Sequence, residues 1–170
     1  AFDSNGNRNM IDLAYGDDYL STAELEKIWP ELDFITQAMR PPEKCGAEEG
    51  KKNGLGFFAD EFIANSLIPN IFSVKDKVDH NGRTTVLVNY YTDGGYYRPH
   101  VDSSVKTLTV FLTKDSTSFT GGDFKFVDHD LTLFFKNNSY VVFPGHMKHE
   151  VTPVKMTGST GRYSLNYFFY

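Results

Sequence analysis

The chain has 170 residues, which suits one domain with a sizeable core and leaves little room for a second. Its 17 basic and 22 acidic residues give a formal net charge of −5, so neither a nucleic-acid partner nor an anionic membrane surface is expected. With 15 Phe, 10 Tyr and one Trp, the composition favours β-structure with large buried side chains over a helical bundle.

The first predicted element is an amphipathic helix in "STAELEKIWPELDFITQAMR", residues 21–40. Ser21 with Glu24 three residues later is a capping-box pattern that predicts where the helix begins. Pro30 interrupts the pattern, as a kink or as the start of a second helix, and Pro41 and Pro42 are expected to end it. The apolar residues that recur at helical spacing are Leu25, Ile28, Trp29, Leu32, Ile35 and Met39.

The polar run from Cys45 to Gly56 predicts a mobile loop, in which the single cysteine is a loop thiol without the spacing of a metal site or a nucleophile. Residues 57–72, "FFADEFIANSLIPNIF", return to helical spacing and predict a second helix through Phe58, Phe62, Ile63 and Leu67. No apolar run reaches membrane-spanning length, and "AFDSNGNRNM" lacks the regions of a signal peptide, so a cytoplasmic protein is expected. Residues 1–83 are predicted to be a helical support region.

From Thr84 onward the pattern changes to about eight short β-rich runs separated by turns. None of the turns is long enough for a crossover helix, which predicts mostly antiparallel pairing. The predicted strands are "TTVLVNYY", "YYRPHV", "VKTLTVFL", "DFKFV", "LTLFF", "YVVF", "HEVTPV" and "RYSLNYFFY". The predicted fold is mainly β (α+β), with a jelly roll or barrel over residues 84–170 and the N-terminal helices on one outer face, in a single domain of residues 1–170.

A metal site is predicted from His100 and Asp102, because residues i and i+2 of a strand share one face. His149 begins the alternating segment "HEVTPV", whereas His146 follows Gly145 in a turn, so His149 is chosen as the third ligand. Two histidines and one carboxylate form the facial triad of non-haem Fe(II) oxygenases, which leaves positions for a chelating cosubstrate and O2. The remaining histidines, His80 and His129, lie in polar turns and are set aside as surface residues.

The last predicted strand supplies an anion-binding group. Arg162 and Ser164 share a face by the same alternation, and arginine can fork onto a carboxylate with two parallel hydrogen bonds. An arginine inside so apolar and aromatic a strand needs an anionic partner if it is buried. A dicarboxylate cosubstrate could therefore bind the metal with one end and Arg162 with the other.

These segments together resemble the prolyl 4-hydroxylase-like Fe(II)/2-oxoglutarate dioxygenases, particularly the bacterial PKHD-type enzymes. "YYTDGGYYRPHVD" is similar to the Tyr-x-x-Gly-x-x-Tyr-x-x-His-x-Asp segment of that family, with Tyr91, Gly94, Tyr97, His100 and Asp102 at matching positions. "FPGHMKHEVTPV" is similar to the segment around the second metal histidine, and "GRYSLNYFF" to the closing strand that carries the basic residue. The resemblance covers Thr84 to Tyr170, half of the chain.

The resemblance implies a double-stranded β-helix, of the jelly-roll or cupin-like kind, with Fe(II) held by His100, Asp102 and His149. It also implies 2-oxoglutarate held by Arg162 with help from Tyr91, and leaves open whether Tyr90 makes this contact instead. O2 is the third reactant, and ascorbate is considered as an additional cofactor.

The activity that the resemblance implies is hydroxylation of a substrate C–H bond, with a prolyl residue in a peptide or protein as the best candidate. A free amino acid, another small molecule or a methylated nucleic acid would use the same cofactor site. A jelly-roll binding module would need no metal, and a cupin isomerase or a zinc hydrolase would give Arg162 no role. The segments predicted to cover the substrate are Cys45–Gly56 and the turn "TKDSTSFTGG".

Overall fold

The computed structural model describes residues 13–41 and 52–170. Its α-helices are α1 (Thr22–Thr36), α2 (Glu61–Leu67) and α3 (Pro69–Ser73), and 3-10 helices occupy Val74–Lys77 and Val127–His129. The strands of the described residues are β1 (Ala14–Gly16), β2 (Lys52–Asn53), β3 (Leu55–Ala59), β4 (Thr84–Tyr91), β5 (Tyr96–His100), β6 (Lys106–Leu112), β7 (Phe119–Gly121), β8 (Phe124–Phe126), β9 (Leu131–Leu133), β10 (Ser139–Pro144), β11 (His149–Val151), β12 (Val154–Met156) and β13 (Arg162–Phe169).

Most of these strands form two sheets that face each other. Neighbouring strands pair antiparallel throughout. The larger sheet has the order β1-β10-β6-β13-β4-β3 and the smaller one β2-β5-β11-β8-β9, while β12 and β7 form a separate ribbon. Aromatic side chains fill the space between the sheets, as in the contact of Phe111 with Phe124, whose ring centres are 5.6 Å apart. The predicted mainly-β double-stranded β-helix is confirmed.

Alternation along the larger sheet separates a face that lines the barrel from a face that supports the helices. In β13, Leu165 and Tyr167 point outward into a cluster that also holds Ile28, Leu32 and Ile35 of α1. The outward residues of β4 and β6, such as Val88 and Val110, join the same cluster. The N-terminal helices therefore cover one outer face of the barrel, as predicted.

Helix α1 begins as its sequence predicts and ends earlier. The Ser21 hydroxyl accepts a hydrogen bond from the backbone N–H of Glu24, and the Glu24 carboxylate accepts one from the backbone N–H of Ser21. Pro30 lies inside the helix without ending it, and the last helical residue is Thr36, five residues before Pro41. None of the helices within residues 13–41 and 52–170 is long and apolar enough to cross a bilayer.

The predicted helix over residues 57–72 is wrong in its first part. Phe57 to Ala59 belong to β3, which pairs with β4, and helix α2 starts only after the N-cap Asp60. Phe58, Phe62 and Leu67 of the predicted apolar face are exposed. The buried residues here are Ala64 of α2 and its C-cap residue Ile68. Helical spacing alone could not show that a strand interrupts it.

Loop predictions also needed correction. Cys45 lies outside the described residues, but the end of the predicted Cys45–Gly56 loop is β-structure, because Lys52–Asn53 pair with β5 and Leu55 and Gly56 pair with β4. Within the turn "TKDSTSFTGG", Phe119–Gly121 form β7. Its partner β12 begins only at Val154, the last residue of "HEVTPV", whose first three residues form β11.

Replacing Ser21 by Ala should lower the free energy of unfolding by about 1 kcal/mol, because the first turn of α1 loses the hydroxyl that accepts its N–H. Urea denaturation of the variant and of Ser116→Ala, an exposed serine in a turn, measures the difference. Equal stability changes in the two variants would contradict the capping role.

Candidate metal centre

The side chains of His100, Asp102 and His149 converge at one point inside the barrel. His100 ends β5 and His149 begins β11, and the two residues are direct partners across this strand pair. Asp102 follows β5 by two residues. One nitrogen or oxygen atom from each of the three side chains lies within 4.8 Å of the other two, so a single ion could contact all three.

Both imidazoles are oriented by backbone carbonyl groups. Nδ1 of His100 lies 2.8 Å from the Arg98 oxygen, and Nδ1 of His149 lies 2.7 Å from the Met147 oxygen. A carbonyl only accepts, so each Nδ1 carries the hydrogen, and in a neutral ring Nε2 keeps its lone pair. Nε2 of His100 is 3.7 Å from Asp102 Oδ1, and Nε2 of His149 is 3.6 Å from Asp102 Oδ2. The Nε2 lone pairs of both histidines therefore point towards the Asp102 carboxylate.

Electrostatics and packing favour the neutral form of His149. Burial lowers the pKa of His149 to about 4, against the opposing effect of the Met147 carbonyl. The Phe124 ring stacks on the imidazole at 5.2 Å, and the Phe143 ring meets it edge-on at 4.8 Å. On the other side of the cluster, the Tyr97 ring stacks on His100 at 3.9 Å. The imidazoles are held in fixed orientations in surroundings that are largely apolar.

Asp102 is held by one hydrogen bond to its carboxylate and one from its backbone. Thr107 Oγ1 donates to Oδ2 at 2.7 Å, and the backbone N–H of Asp102 donates to the Gly145 oxygen at 2.8 Å. Burial raises the pKa of Asp102, whereas the Thr107 hydroxyl and His100 oppose this shift. A cation between the three side chains would stabilise the ionised carboxylate.

A pocket of about 410 Å³, its open mouth included, extends from this cluster to Arg162. The Arg162 side chain is fully buried, and Nε, Nη1 and Nη2 have no hydrogen-bond partner among the described residues. The rings of Tyr91, Phe111 and Phe135 surround the guanidinium, with centres 5.0 to 5.5 Å from its Cζ. Burial lowers the pKa of Arg162 to about 10, opposed by Tyr91 and Asp123, so the group stays charged at neutral pH.

Close approach of the backbone shapes this end of the pocket. A Cβ on Gly122 would lie 2.8 Å from Arg162 Cδ, and Gly122 has a φ of +69°. Glycine is therefore required here both for space and for conformation. A buried guanidinium without a partner needs an anion, so the pocket suits a ligand with a carboxylate at this end.

Of the two tyrosines left open by the sequence, Tyr91 lines the pocket. Tyr91 is the cross-strand partner of Arg162, and burial raises the pKa of its hydroxyl. Tyr90 points to the other face of the sheet, where it stacks on Tyr163 at 4.4 Å and its hydroxyl accepts from the Gly161 N–H. Ser164 is buried and lines the pocket beside Tyr91.

The structure brings all six predicted site residues to one pocket: His100, Asp102, His149, Arg162, Tyr91 and Ser164. His146 is exposed and lies outside the cluster. Sequence reasoning missed two residues of the site. Thr107 donates a hydrogen bond to Asp102, and Asn89 lines the pocket. Alternation in "KTLTVFL" and "TTVLVNYY" places both on the inward faces of their strands and could have indicated them.

Comparison with known proteins gives one family match and several similar structures. The model of the 2OG-Fe(II) oxygenase superfamily matches residues 86–170. None of the curated protein sequences matches the chain.

The similar solved structures have a related fold at low sequence identity. A prolyl-4-hydroxylase of Pseudomonas putida is 14% identical, with a TM-score of 0.62 over 94% of this chain and 93% of that one. A viral collagen prolyl hydroxylase of Paramecium Bursaria Chlorella virus-1, solved as a 2OG complex, is 18% identical, with a TM-score of 0.54 over 91% and 94%. A prolyl hydroxylase of Trichoplax adhaerens, solved with a hypoxia inducible factor peptide fragment, is 13% identical, with a TM-score of 0.65 over 93% and 83%. The similarity therefore extends over most of this chain and is not confined to residues 86–170.

In the metal-free protein, the low pKa of His149 should make stability depend on pH. As the pH falls from 6.5 towards 4, the histidine takes up a proton in the unfolded chain but stays neutral in the folded protein. The free energy of unfolding is therefore unaffected by His149 above pH 6.5 and decreases as the pH falls below it. The cost is at most ~1.4 kcal/mol per pH unit in this window. Urea denaturation across the window should show a shallower pH dependence for His149→Gln than for the wild type. The same dependence in both would contradict the assignment, and the exposed His146→Gln is the control.

Proposed function

Because this chain belongs to the 2OG-Fe(II) oxygenase superfamily, we propose that it hydroxylates a prolyl residue in a peptide or protein at the pocket between His149 and Arg162. As a member of that superfamily it is a dioxygenase that uses Fe(II), 2-oxoglutarate and O2. The observation that carries the site assignment is the fully buried guanidinium of Arg162, which has no hydrogen-bond partner within residues 13–41 and 52–170 and lies in the same pocket as the three converging side chains.

The residues present fit the metal and the cosubstrate. Two imidazole nitrogens and one carboxylate are the donor set of non-haem Fe(II) oxygenases, so we assign His100, Asp102 and His149 as the ligands. Arg162 would hold the distal carboxylate of 2-oxoglutarate with two parallel hydrogen bonds, and Tyr91 and Ser164 line the pocket beside it. When bound, these groups with O2 supply oxidation of a C–H bond to an alcohol, coupled to conversion of 2-oxoglutarate to succinate and carbon dioxide.

The side chains of this protein orient the ligands and exclude water. The Arg98 and Met147 carbonyls hold the hydrogens on Nδ1, so that the Nε2 atoms are available to the metal. Phe124 and Phe143 shield His149 from solvent, which strengthens the electrostatic interactions within the pocket. A role for ascorbate stays a prediction.

The choice of a prolyl substrate is supported by the names of the structural neighbours, three of which are prolyl hydroxylases. One of them was solved with a peptide, which supports a peptide or protein substrate for this chain too. A free amino acid, another small molecule and a methylated nucleic acid are the competing substrate classes. The net charge of −5 disfavours the last of these.

Anaerobic addition of Fe(II) and 2-oxoglutarate to the wild type should give a weak visible charge-transfer band. His149→Ala should abolish this band because the cluster loses one of its three ligands, while His146→Ala should keep it because that histidine is exposed and outside the cluster. Spectrophotometric titration measures both variants. A full band in His149→Ala, or its loss in His146→Ala, would contradict the ligand assignment.

Succinate formation in the presence of candidate substrates tests the substrate class. Peptides that contain proline should stimulate succinate release above the rate without substrate, and mass spectrometry should find a hydroxylated prolyl residue. Free amino acids and methylated oligonucleotides serve as the comparison panel. Coupled succinate release with one of these classes alone would overturn the prolyl proposal while leaving the dioxygenase chemistry intact.

A further inference from the structure

Asn89 occupies a defined place between the two ends of the pocket. On the inner face of the larger sheet, successive cross-strand pairs are Tyr91 with Arg162, and then Asn89 with Ser164. Two further rows along, Thr107 holds the Asp102 carboxylate. Asn89 therefore lies one row nearer to the metal ligands than Arg162 does.

Lys52 reaches Asn89 from the opposite sheet. It is the cross-strand partner of Tyr97 on β5, only 4% of its surface is exposed, and its ammonium lies 5.6 Å from the centre of the Tyr97 ring. Its Nζ donates a hydrogen bond to Asn89 Oδ1. The lysine thus connects the edge of the smaller sheet to the wall of the pocket.

This contact determines which way the Asn89 amide faces. An ammonium group only donates, so the asparagine must present its oxygen to Lys52 and its NH2 group to the other side. Asn89 is 3% exposed and lines the pocket, and within residues 13–41 and 52–170 its Nδ2 has no hydrogen-bond partner. An amide NH2 that lines the pocket in this way can donate a hydrogen bond to a ligand there.

We propose that Asn89 is a cosubstrate-binding residue that donates a hydrogen bond to the metal-proximal half of 2-oxoglutarate, and that Lys52 is the positioning residue that fixes the amide in this orientation. This inference rests on the proposed function, because it takes the ligand at Arg162 to be 2-oxoglutarate. Without Lys52 the amide could rotate by half a turn and place its oxygen against an anionic ligand. The Lys52 ammonium group thereby affects cosubstrate binding through the orientation of the Asn89 amide and does not contact the cosubstrate itself.

Calorimetric titration of the Mn(II)-loaded protein with 2-oxoglutarate tests the proposal without turnover. Asn89→Asp keeps an acceptor for Lys52 but replaces the NH2 donor by a carboxylate oxygen, so the dissociation constant for 2-oxoglutarate should rise by about tenfold or more. The dissociation constant for Mn(II) alone should stay within about twofold of the wild type, because no metal ligand changes. Asn81→Asp, at an exposed position, is the matched control for the added charge.

A double-mutant cycle tests the role of Lys52. Lys52→Met preserves much of the side-chain length and should weaken 2-oxoglutarate binding several-fold in the wild type, but should add nothing in the Asn89→Ala background. An equal effect of Lys52→Met in both backgrounds would show that Lys52 acts only through packing and would overturn its positioning role.

The outcomes separate this inference from the proposed function. Wild-type 2-oxoglutarate binding that is lost in Arg162→Met and unchanged in Asn89→Asp would overturn the role of Asn89 alone. Absence of binding in the wild type, or full binding in Arg162→Met, would instead overturn the site assignment itself.

Discussion

The guanidinium group of Arg162 lies inside the barrel among aromatic rings, and a charge buried in this way is stable only opposite an anion. The rings attract the cation, but none of the described residues accepts a hydrogen bond from it. At the other end of the pocket, the Asp102 carboxyl group lies beside two imidazoles whose Nε2 atoms face it. The pocket therefore has a cationic group at one end and a carboxyl group at the other, and binding of metal and cosubstrate should stabilise the fold by mass action.

Strand register is what brings these charges to one pocket. His149 pairs with His100, about 50 residues earlier in the chain, and Arg162 pairs with Tyr91, about 70 residues earlier. A slip by one residue in either pairing would turn the functional side chains to the opposite face of the sheet. The outward residues of β13 resist such a slip, because Leu165 and Tyr167 are buried beneath the helices.

Much of the barrel could be predicted because alternation is a local signal: it located β4, β5, β6 and β13 and placed Arg162 with Ser164 on one face. The capping box at Ser21 is equally local. The extent of α2 was not predictable, because Phe58 fits a helical pattern although pairing with β4 makes it part of a strand. The contact of Lys52 with Asn89 joins residues 37 positions apart, and nothing in either segment specifies the other.

The division of the chain at residue 84 is one of sequence motifs and does not separate two independent folding units. Val88, Val110 and Leu165 belong to the strands that build the site, yet what keeps them from water is Ile28, Leu32 and Ile35. Strand β2, which carries Lys52, likewise belongs to the first part of the chain and completes the smaller sheet. An isolated C-terminal half would hold every motif residue and still expose a broad apolar surface, so we expect the two parts of the chain to fold together.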